Sequence, residues 1–554
     1  VIRRVRPGDT VRIRWLGRLP YAEAWDLQRA IWEGRVTGRA SEDYLLLVEH
    51  PHTYTVGRNG DGSNLLVDPG LLAGIGAELH HVDRGGDITY HGPGQLVGYP
   101  VFAVPALPRG FDMVGHVRRI ERMLIATIAD LGVDAWAEPG FTGVWTAAGK
   151  VAAIGVRVAR GVSMHGFALN VDPSMEYFSN IVPCGIEDRP VSSLSASLGR
   201  PVSIEEVTKA LLAHVTTTFA FERADIQLGT FARGARQDFD VDRMVAAGVF
   251  SPQARRETPI AISGVLPGEP PRPEWMRVKA DTASQGFHDL EGLMSRLDLH
   301  TVCAEAGCPN IYECWSQGIG TLMLLGDRCT RACAFCDVTT GRPGEVDLDE
   351  PVRAAEAVAT MGLRYAVLTS VNRDDLPDGG AEIFAETIRQ IRNRLPDCDV
   401  EVLIPDFKGD PDALDVVMGE KPTVLNHNTE TVLRLQREIR TAASYGRSLA
   451  LLARAKWRNP AGAVKSGLIV GMGETEEEVM GALADLRTVG VDIVTIGQYL
   501  RPTPRHRPIH RYVHPDEFER YRAEGERLGL AHVESGPLVR SSYHARESLA
   551  ASAR

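Results

Sequence analysis

Six of the eight cysteines fall in two triplets: Cys303, Cys308 and Cys314 in "CAEAGCPNIYEC", then Cys329, Cys333 and Cys336 in "CTRACAFC". Thiolates spaced this closely converge on one centre. A structural zinc takes four ligands from paired Cys or Cys/His knuckles, whereas each triplet offers three thiols and no histidine inside it; a zinc bridging both triplets stays open on spacing alone. Disulfides fit worse, because nothing marks the chain as secreted. An iron–sulfur cluster held by three thiolates leaves one iron with a free position, where a substrate or cofactor can bind.

A second chemistry-bearing pair lies in the first half. Only seven of the 61 basic residues are lysine, and residues 1 to 230 hold just Lys150 and Lys209, with Cys184 as the sole thiol. Arginine stays protonated at any working pH, while a lysine whose pKa is lowered can act as a base. Cys184 sits in the irregular segment "NIVPCGIEDRPVSSL", and loops are where nucleophiles tend to sit. The plainer reading of a lone thiol, a buried inert residue, stands beside it. Lys209 reads as a surface residue on a helix, and Cys398 in "LPDCDV" as a half-buried residue without a role.

The elements that must position these groups divide the chain. At 554 residues it exceeds one ordinary core. Through residue 220, helical periodicity ("YAEAWDLQRAIWEG", "HVRRIERMLIATIADLG") alternates with strand patterns ("YLLLVEH", "KVAAIGVRV", "MHGFALNV"), and Ser203 with Glu206 predicts a capping box. The proline-rich "VLPGEPPRPEW" marks a linker. Beyond it, "RYAVLTSV", "DVEVLIPDF", "TVLNHN", "KSGLIVGMG" and "DIVTIGQYL" read as buried strands separated by amphipathic helices. That order predicts a parallel sheet with right-handed crossovers, open or closed as a β/α barrel, with ligands at the carboxyl ends of its strands. The expected boundaries are residues 1–225, a linker over 226–271, and 272–554. A formal charge of -11 argues against general nucleic-acid binding. With no long apolar run and no signal-type h-region, neither a membrane span nor export is expected, and the expected compartment is the cytoplasm. The chain starts at Val1 rather than Met, which leaves room for residues upstream.

C-x3-C-x2-C ahead of a β/α barrel resembles the radical S-adenosylmethionine enzymes. The resemblance implies a [4Fe–4S] cluster on Cys329, Cys333 and Cys336 that chelates S-adenosylmethionine and generates a 5′-deoxyadenosyl radical. Phe335 inside the motif fits, and "DGGA" (378 to 381) and "GLIVGMGE" (467 to 474) place glycines where backbone approaches a cofactor or simply turns into a helix. The upstream triplet in "TVCAEAGCPNIYECW", with "PEWMRVK", "NHNTETV" and "VRSSYHA", is similar to the lipoyl synthase family from about residue 272 onward. In that family a second, auxiliary [4Fe–4S] cluster is the sulfur source. By resemblance its ligands are Cys303, Cys308, Cys314 and a serine, Ser541 or Ser542, with Ser542 favoured.

Residues 1 to 222 resemble the lipoyl(octanoyl) transferases, of the biotin/lipoate ligase fold group, through "LLLVEHPHTYTVGR", "RGGDITYHGPGQLVGYP", "GKVAAIGVRV", "HGFALNV" and "PCGI". The resemblance implies Cys184 as acyl-accepting nucleophile and Lys150 as its base partner. It implies substrate contacts from Arg84, Gly85, Gly86, Asp87, Ile88, Thr89, Tyr90 and His91, from Ala153, Ile154 and Gly155, and from Gly166, Phe167 and Ala168. His91 is expected to be a hydrogen-bonded pocket histidine, and Arg84 reads equally as a structural ion-pair residue. No G-K-[ST] follows the glycines, so this segment is no P-loop.

Together the resemblances imply consecutive steps: octanoyl transfer from octanoyl-acyl carrier protein to a lysine of a lipoyl domain, then sulfur insertion at C6 and C8. The implied fold class is an N-terminal α/β domain of the biotin/lipoate-ligase kind followed by a partial radical SAM β/α (TIM-like) barrel. The implied partners are the carrier protein, the lipoyl domains of 2-oxoacid dehydrogenase complexes and glycine cleavage H protein, and an electron donor. Rival readings are a methylthiotransferase-like radical enzyme, an ATP-dependent lipoate ligase and a zinc-clustered binding module.

Overall fold

A computed structural model describes residues 8–185, 189–231, 270–276, 285–306, 308, 310–311 and 321–552. Cys314 and most of the 226–271 segment lie outside the described residues, and of Cys184 only the backbone is described. The chain forms two compact units, Val1–Gly234 and Ala235–Arg554. Among the described residues no helix is long and apolar enough to cross a membrane.

The first unit carries strands β1 (Thr10–Arg18), β2 (Asp43–Glu49), β3 (Thr53–Val56), β4 (Glu78–His81), β5 (Ile88–His91), β6 (Gln95–Val101), β7 (Val144–Thr146), β8 (Gly149–Ala159), β9 (Val162–Asn170) and β10 (Arg223–Leu228). Seven of them form a mixed sheet in the order β10-β1-β2-β6-β9-β8-β7, and β4-β3-β5 form a small second sheet. Helices Met113–Asp130 and Ile204–Phe219 bury Ile120, Leu124, Leu211 and Val215 against Ile13, Leu45 and Val151 of the large sheet. At the second helix Ser203 caps the Glu206 N–H at 3.1 Å. The predicted box is half formed, since the Glu206 carboxylate binds Arg200 at 2.7 Å. Strand β10 pairs with β1 through Leu228, and Phe231 stacks on Trp15 at 4.8 Å, so the sheet claims the first residues assigned to the linker. The apolar positions of "RADIQL" find a parallel neighbour there.

The second unit carries β11 (His300–Thr301), β12 (Thr321–Leu324), β13 (Tyr365–Ser370), β14 (Asp399–Leu403), β15 (Val424–Asn426), β16 (Ala463–Val470), β17 (Ile493–Gln498) and β18 (His532–Gly536). They join in strict chain order, β11/β12 antiparallel and all later pairs parallel. Sequential order with crossovers of one hand keeps the helices on one face and leaves the other face free to line an interior. The helices that follow the strands, such as Ala381–Arg394 and Glu476–Val489, are long and apolar on the sheet side, burying Ile383, Phe384, Ile388, Val479 and Leu483. Thr475 and Glu478 form a complete capping box at the second of these.

Candidate functional sites

In the first unit the small sheet sorts the glycine-rich segment by strand alternation. β3 and β5 run antiparallel with Thr55 opposite Thr89 and Tyr54 opposite Tyr90. Ile88 and Tyr90 therefore turn into the small core with Tyr54, Val56 and Phe178. Thr89 and His91 share the other face with Thr55. There Arg84, nine-tenths buried, donates through Nη2 to Thr55 O at 2.6 Å and to Thr55 Oγ1 at 2.8 Å, and through Nη1 to Gly85 O at 3.0 Å. His91 bonds Gln95 Oε1 through Nδ1 at 2.8 Å and Thr55 Oγ1 through Nε2 at 3.3 Å. Burial first, and the neighbouring His50 second, hold its pKa well below the ordinary value, so the ring is neutral. Tyr21, stacked on His91 at 5.9 Å, joins this face.

Glycines let the backbone layers close. A Cβ on Gly155 of β8 would stand 2.8 Å from Gly85 O, and one on Gly166 of β9 would stand 2.1 Å from Gly98 O. Gly155 thus brings β8 onto the Arg84–Gly86 turn, while Gly166 serves strand packing against β6. Ala153, Ile154 and Gly155 are half-buried and pair with Ala168, Phe167 and Gly166 across the ladder. Asp87 bonds Asn64 and lies 3.6 Å from an ideal Cβ on Gly185, the residue after Cys184.

Lys150 is the second residue of β8 and is 6% exposed. Its N–H donates to Pro190 O at 2.9 Å, and Ser192 N–H donates to Lys150 O at 2.9 Å. The segment that leaves the Pro183–Gly185 turn is therefore laced to the strand that carries the lysine. On the other side, Val182 N–H donates to Asn64 O at 2.9 Å. The Lys150 ammonium lies 5.5 Å from the Trp145 ring centre. Gly143, which sequence reasoning missed, has φ +133°, and a Cβ there would stand 2.7 Å from Lys150 Cε and 2.5 Å from Ala152 O. Lys209 is exposed and pairs with Glu205 at 2.7 Å.

In the second unit a cavity of about 520 Å³ opens at the carboxyl ends of the strands. Cys303, Cys308, Cys329, Cys333 and Cys336 all line it, as do Phe335, Ser541 and Ser542. The loop of the second triplet is tied down by its backbone. Gly341 N–H donates to Cys329 O, Ala334 N–H to Ile439 O and Arg507 N–H to Ala334 O, while His506 Nε2 meets Cys336 O at 2.9 Å. Arg331 inside the motif forms a two-pronged pair with Asp374 at 2.7 Å and reaches Asp406 at 2.6 Å. Cys329 Sγ accepts backbone N–H groups from Arg331 and Asn372, both at 3.4 Å.

Burial pushes the Cys333 thiol up to about 12 and raises Cys329 and Cys336; for Cys333 and Cys336 the neighbouring thiols push the same way. Mutual repulsion of this kind is what three converging thiolates feel before a cation offsets it. The donor set fits a metal–sulfur cluster held by three thiolates. Among the described residues no group of three or more His, Cys, Asp or Glu side chains is arranged to hold a single metal ion.

Near the first triplet, burial raises Cys308 and the Arg540 guanidinium lowers it in part. Asn310 Nδ2 donates to Leu538 O at 2.8 Å, which ties the triplet segment to the serine tail. Ser541 Oγ accepts from Asn426 Nδ2 at 3.1 Å and Asn428 Nδ2 at 3.2 Å, whereas Ser542 carries no hydrogen bond among the described residues. A Cβ on Gly467 would stand 2.7 Å from Asn428 Oδ1, so this glycine makes room for Asn428. Gly379 and Gly380 do not line the cavity; they close the turn into Ala381–Arg394, packed by Phe407 and Leu325. Cys398 is buried, and its thiol donates to its neighbour's carbonyl, Asp399 O, at 3.5 Å.

Residues 20–216 match the family model described as the lipoyl protein ligase A/B catalytic domain, and residues 323–486 match that of the radical SAM superfamily. A lipoyl synthase of Rubrobacter xylanophilus is 56% identical over 276 residues, which is 50% of this chain and 86% of that protein. One of Koribacter versatilis is 56% identical over 277 residues, 50% of this chain and 91% of that protein. A solved lipoate-protein ligase A bound with ATP overlays 40% of this chain and 90% of its own, with 18% identity and a TM-score of 0.33.

Proposed function

The chain belongs, through its C-terminal half, to the lipoyl synthase family, and from that premise we propose that it performs two consecutive steps of lipoate assembly on one carrier lysine. Its two domains are of an acyl transferase or ligase kind and of a radical SAM sulfurtransferase kind. The family implies [4Fe–4S] clusters and S-adenosylmethionine.

The observation that carries the reading is the gathering of the second cysteine triplet, and of Cys303 and Cys308 from the first, on one cavity with the serine pair. When bound, one cluster with S-adenosylmethionine supplies a radical that removes hydrogen from an alkyl carbon, and a second cluster supplies sulfur. Cys329, Cys333 and Cys336 hold the first; Cys303, Cys308, Cys314 and Ser542 hold the second. That Ser542 carries no hydrogen bond among the described residues, beside a Ser541 already held by two amides, supports the choice between the neighbours. Arg331, anchored on Asp374 and Asp406, keeps the motif loop in place, and the apolar walls that include Phe335, Val367 and Leu468 exclude water from the alkyl chain.

In the first domain Cys184 takes the octanoyl group from octanoyl-acyl carrier protein as a thioester, with Lys150 accepting the thiol proton, and passes it to the lysine of a lipoyl domain. The lacing of residues 190–192 to Lys150 supports the pairing, because it fixes the loop end beside the base. Arg84, Thr89, His91 and Gly155 form the acyl-facing wall; Ile88 and Tyr90 support it from the core. The lipoyl domains of 2-oxoacid dehydrogenase complexes and glycine cleavage H protein are the acceptors, and an external donor supplies electrons. Intact mass of the protein after incubation with octanoyl carrier protein tests the first step. A single octanoyl adduct that is absent from Cys184→Ala is expected; an adduct retained in that variant contradicts the role. Iron and sulfide content after anaerobic reconstitution tests the second, and zinc in their place contradicts it.

A further inference from the structure

Four polar side chains on neighbouring strands of the second unit form a connected run that ends on the serine pair. Lys465 of β16 and Glu401 of β14 are each 1% exposed and pair at 3.0 Å. Tyr365 of β13 donates to the other Glu401 oxygen at 2.6 Å. Asn426 of β15, fully buried, donates through Nδ2 to Glu401 Oε1 at 3.0 Å and to Ser541 Oγ at 3.1 Å. The run thus crosses four strands of the barrel and stops one residue short of Ser542.

A buried ion pair is weakly stabilising at best, because desolvating both charges offsets their attraction. Here the pair has a geometric consequence. Glu401 fixes the Asn426 amide by accepting one of its hydrogens, so the other points at Ser541. Ser541 and Ser542 both line the cavity, but the Ser541 hydroxyl is held by this amide and by Asn428, so that of Ser542 is the one left without a hydrogen bond among the described residues.

We propose that Glu401, Lys465 and Asn426 are positioning residues for the serine tail: they lock Ser541 and thereby present Ser542 to the cavity that Cys303 and Cys308 line. The inference rests on the reading of Ser542 as a ligand of the sulfur-donating cluster, but the restraint itself is made of the chain's own side chains and is measured without the cluster. Lys465 holds Glu401 in place, Glu401 orients Asn426, and Asn426 holds Ser541. None of the three needs to touch the substrate.

Hydrogen–deuterium exchange of the full-length, metal-free protein, followed over residues 539–545 and over β13, tests the restraint. Asn426→Ala is expected to raise exchange in the tail roughly tenfold with β13 unchanged, since local opening is set by local restraints. Glu401→Gln combined with Lys465→Met retains an acceptor of the same shape for Asn426 and is expected to leave tail exchange at the wild-type rate. Glu401→Leu combined with Lys465→Met removes the acceptor and is expected to loosen the tail. Unchanged tail exchange in Asn426→Ala overturns the inference, as does an equal rise in tail and β13, which marks a merely structural residue. A chain with Cys329, Cys333 and Cys336 changed to alanine, reconstituted anaerobically, adds a spectroscopic readout. Its remaining cluster absorbance is expected to fall when Asn426→Ala is added, and unchanged absorbance also counts against the inference. If that chain holds no cluster even with Asn426 intact, the reading of Ser542 fails, while the exchange result still decides the positioning role.

Discussion

At the scale of single residues, the proposed transfer step depends on where the Lys150 ammonium group is held. Gly143 leaves Lys150 the space its Cε occupies, at a φ of +133° that L side chains rarely adopt. Gly143→Ala is expected to slow octanoyl transfer by about 100-fold, the scale of a misplacement of about 1 Å. Sulfur insertion into a pre-octanoylated domain, assayed on the same sample, is expected to be unchanged. Lys150→Arg keeps the charge but not the ability to give up a proton, and a loss of about 100-fold or more in transfer rate is expected from a removed general base. Neither residue's surroundings were legible in the same way. Lys150 stood out because lysine is rare in this chain, whereas Gly143 lies in a short connection whose approach to Lys150 depends on the bulge between β7 and β8.

At the scale of elements, the strands with apolar and β-branched runs were readable because burial on both faces leaves a continuous signal: β13, β14 and β17 fall within the segments that predicted them, and β16 starts two residues ahead of its segment. The four-residue β12 and the half-exposed β18 carry too little pattern to be read. The segment "ITYH" was read as one pocket wall, yet period-2 alternation sends Ile88 and Tyr90 into the core and Thr89 and His91 to the opposite face. The alternation was visible in the sequence; the sheet that covers one side of it was not.

Helix Met113–Asp130 carries a further consequence. It buries His116 against Phe102 and Phe219, with Nε2 lacking a partner among the described residues. Burial lowers its pKa to about 4 from 6.5. The unfolded chain therefore binds a proton between pH 6.5 and about 4 that the folded chain refuses, and stability is lost as pH falls through that window. His116→Phe is expected to flatten the slope of unfolding free energy there by about 1.4 kcal/mol per pH unit. Urea unfolding of the full chain at several pH values measures it, and an unchanged slope counts against a neutral buried ring.

At the scale of the whole molecule, the two halves use unrelated chemistry. Chelating iron is expected to abolish sulfur insertion and leave octanoyl transfer intact, as read by separate assays on one preparation. Cys184→Ala is expected to do the reverse. Joining both sites in one chain raises the effective concentration of the second near a freshly acylated carrier, if the intervening segment spans the gap. A lipoylation rate at low enzyme concentration that exceeds that of the two single-site variants mixed together is the expected sign.

The central claim, one chain performing both steps on one lysine, is tested most directly by the intact mass of an apo lipoyl domain. The domain is incubated anaerobically with the protein, octanoyl carrier protein and a reductant, with or without S-adenosylmethionine. An octanoyl adduct without that cofactor and a two-sulfur adduct with it are predicted. No adduct in either sample would contradict the transferase half and the account of the chain as a two-step enzyme.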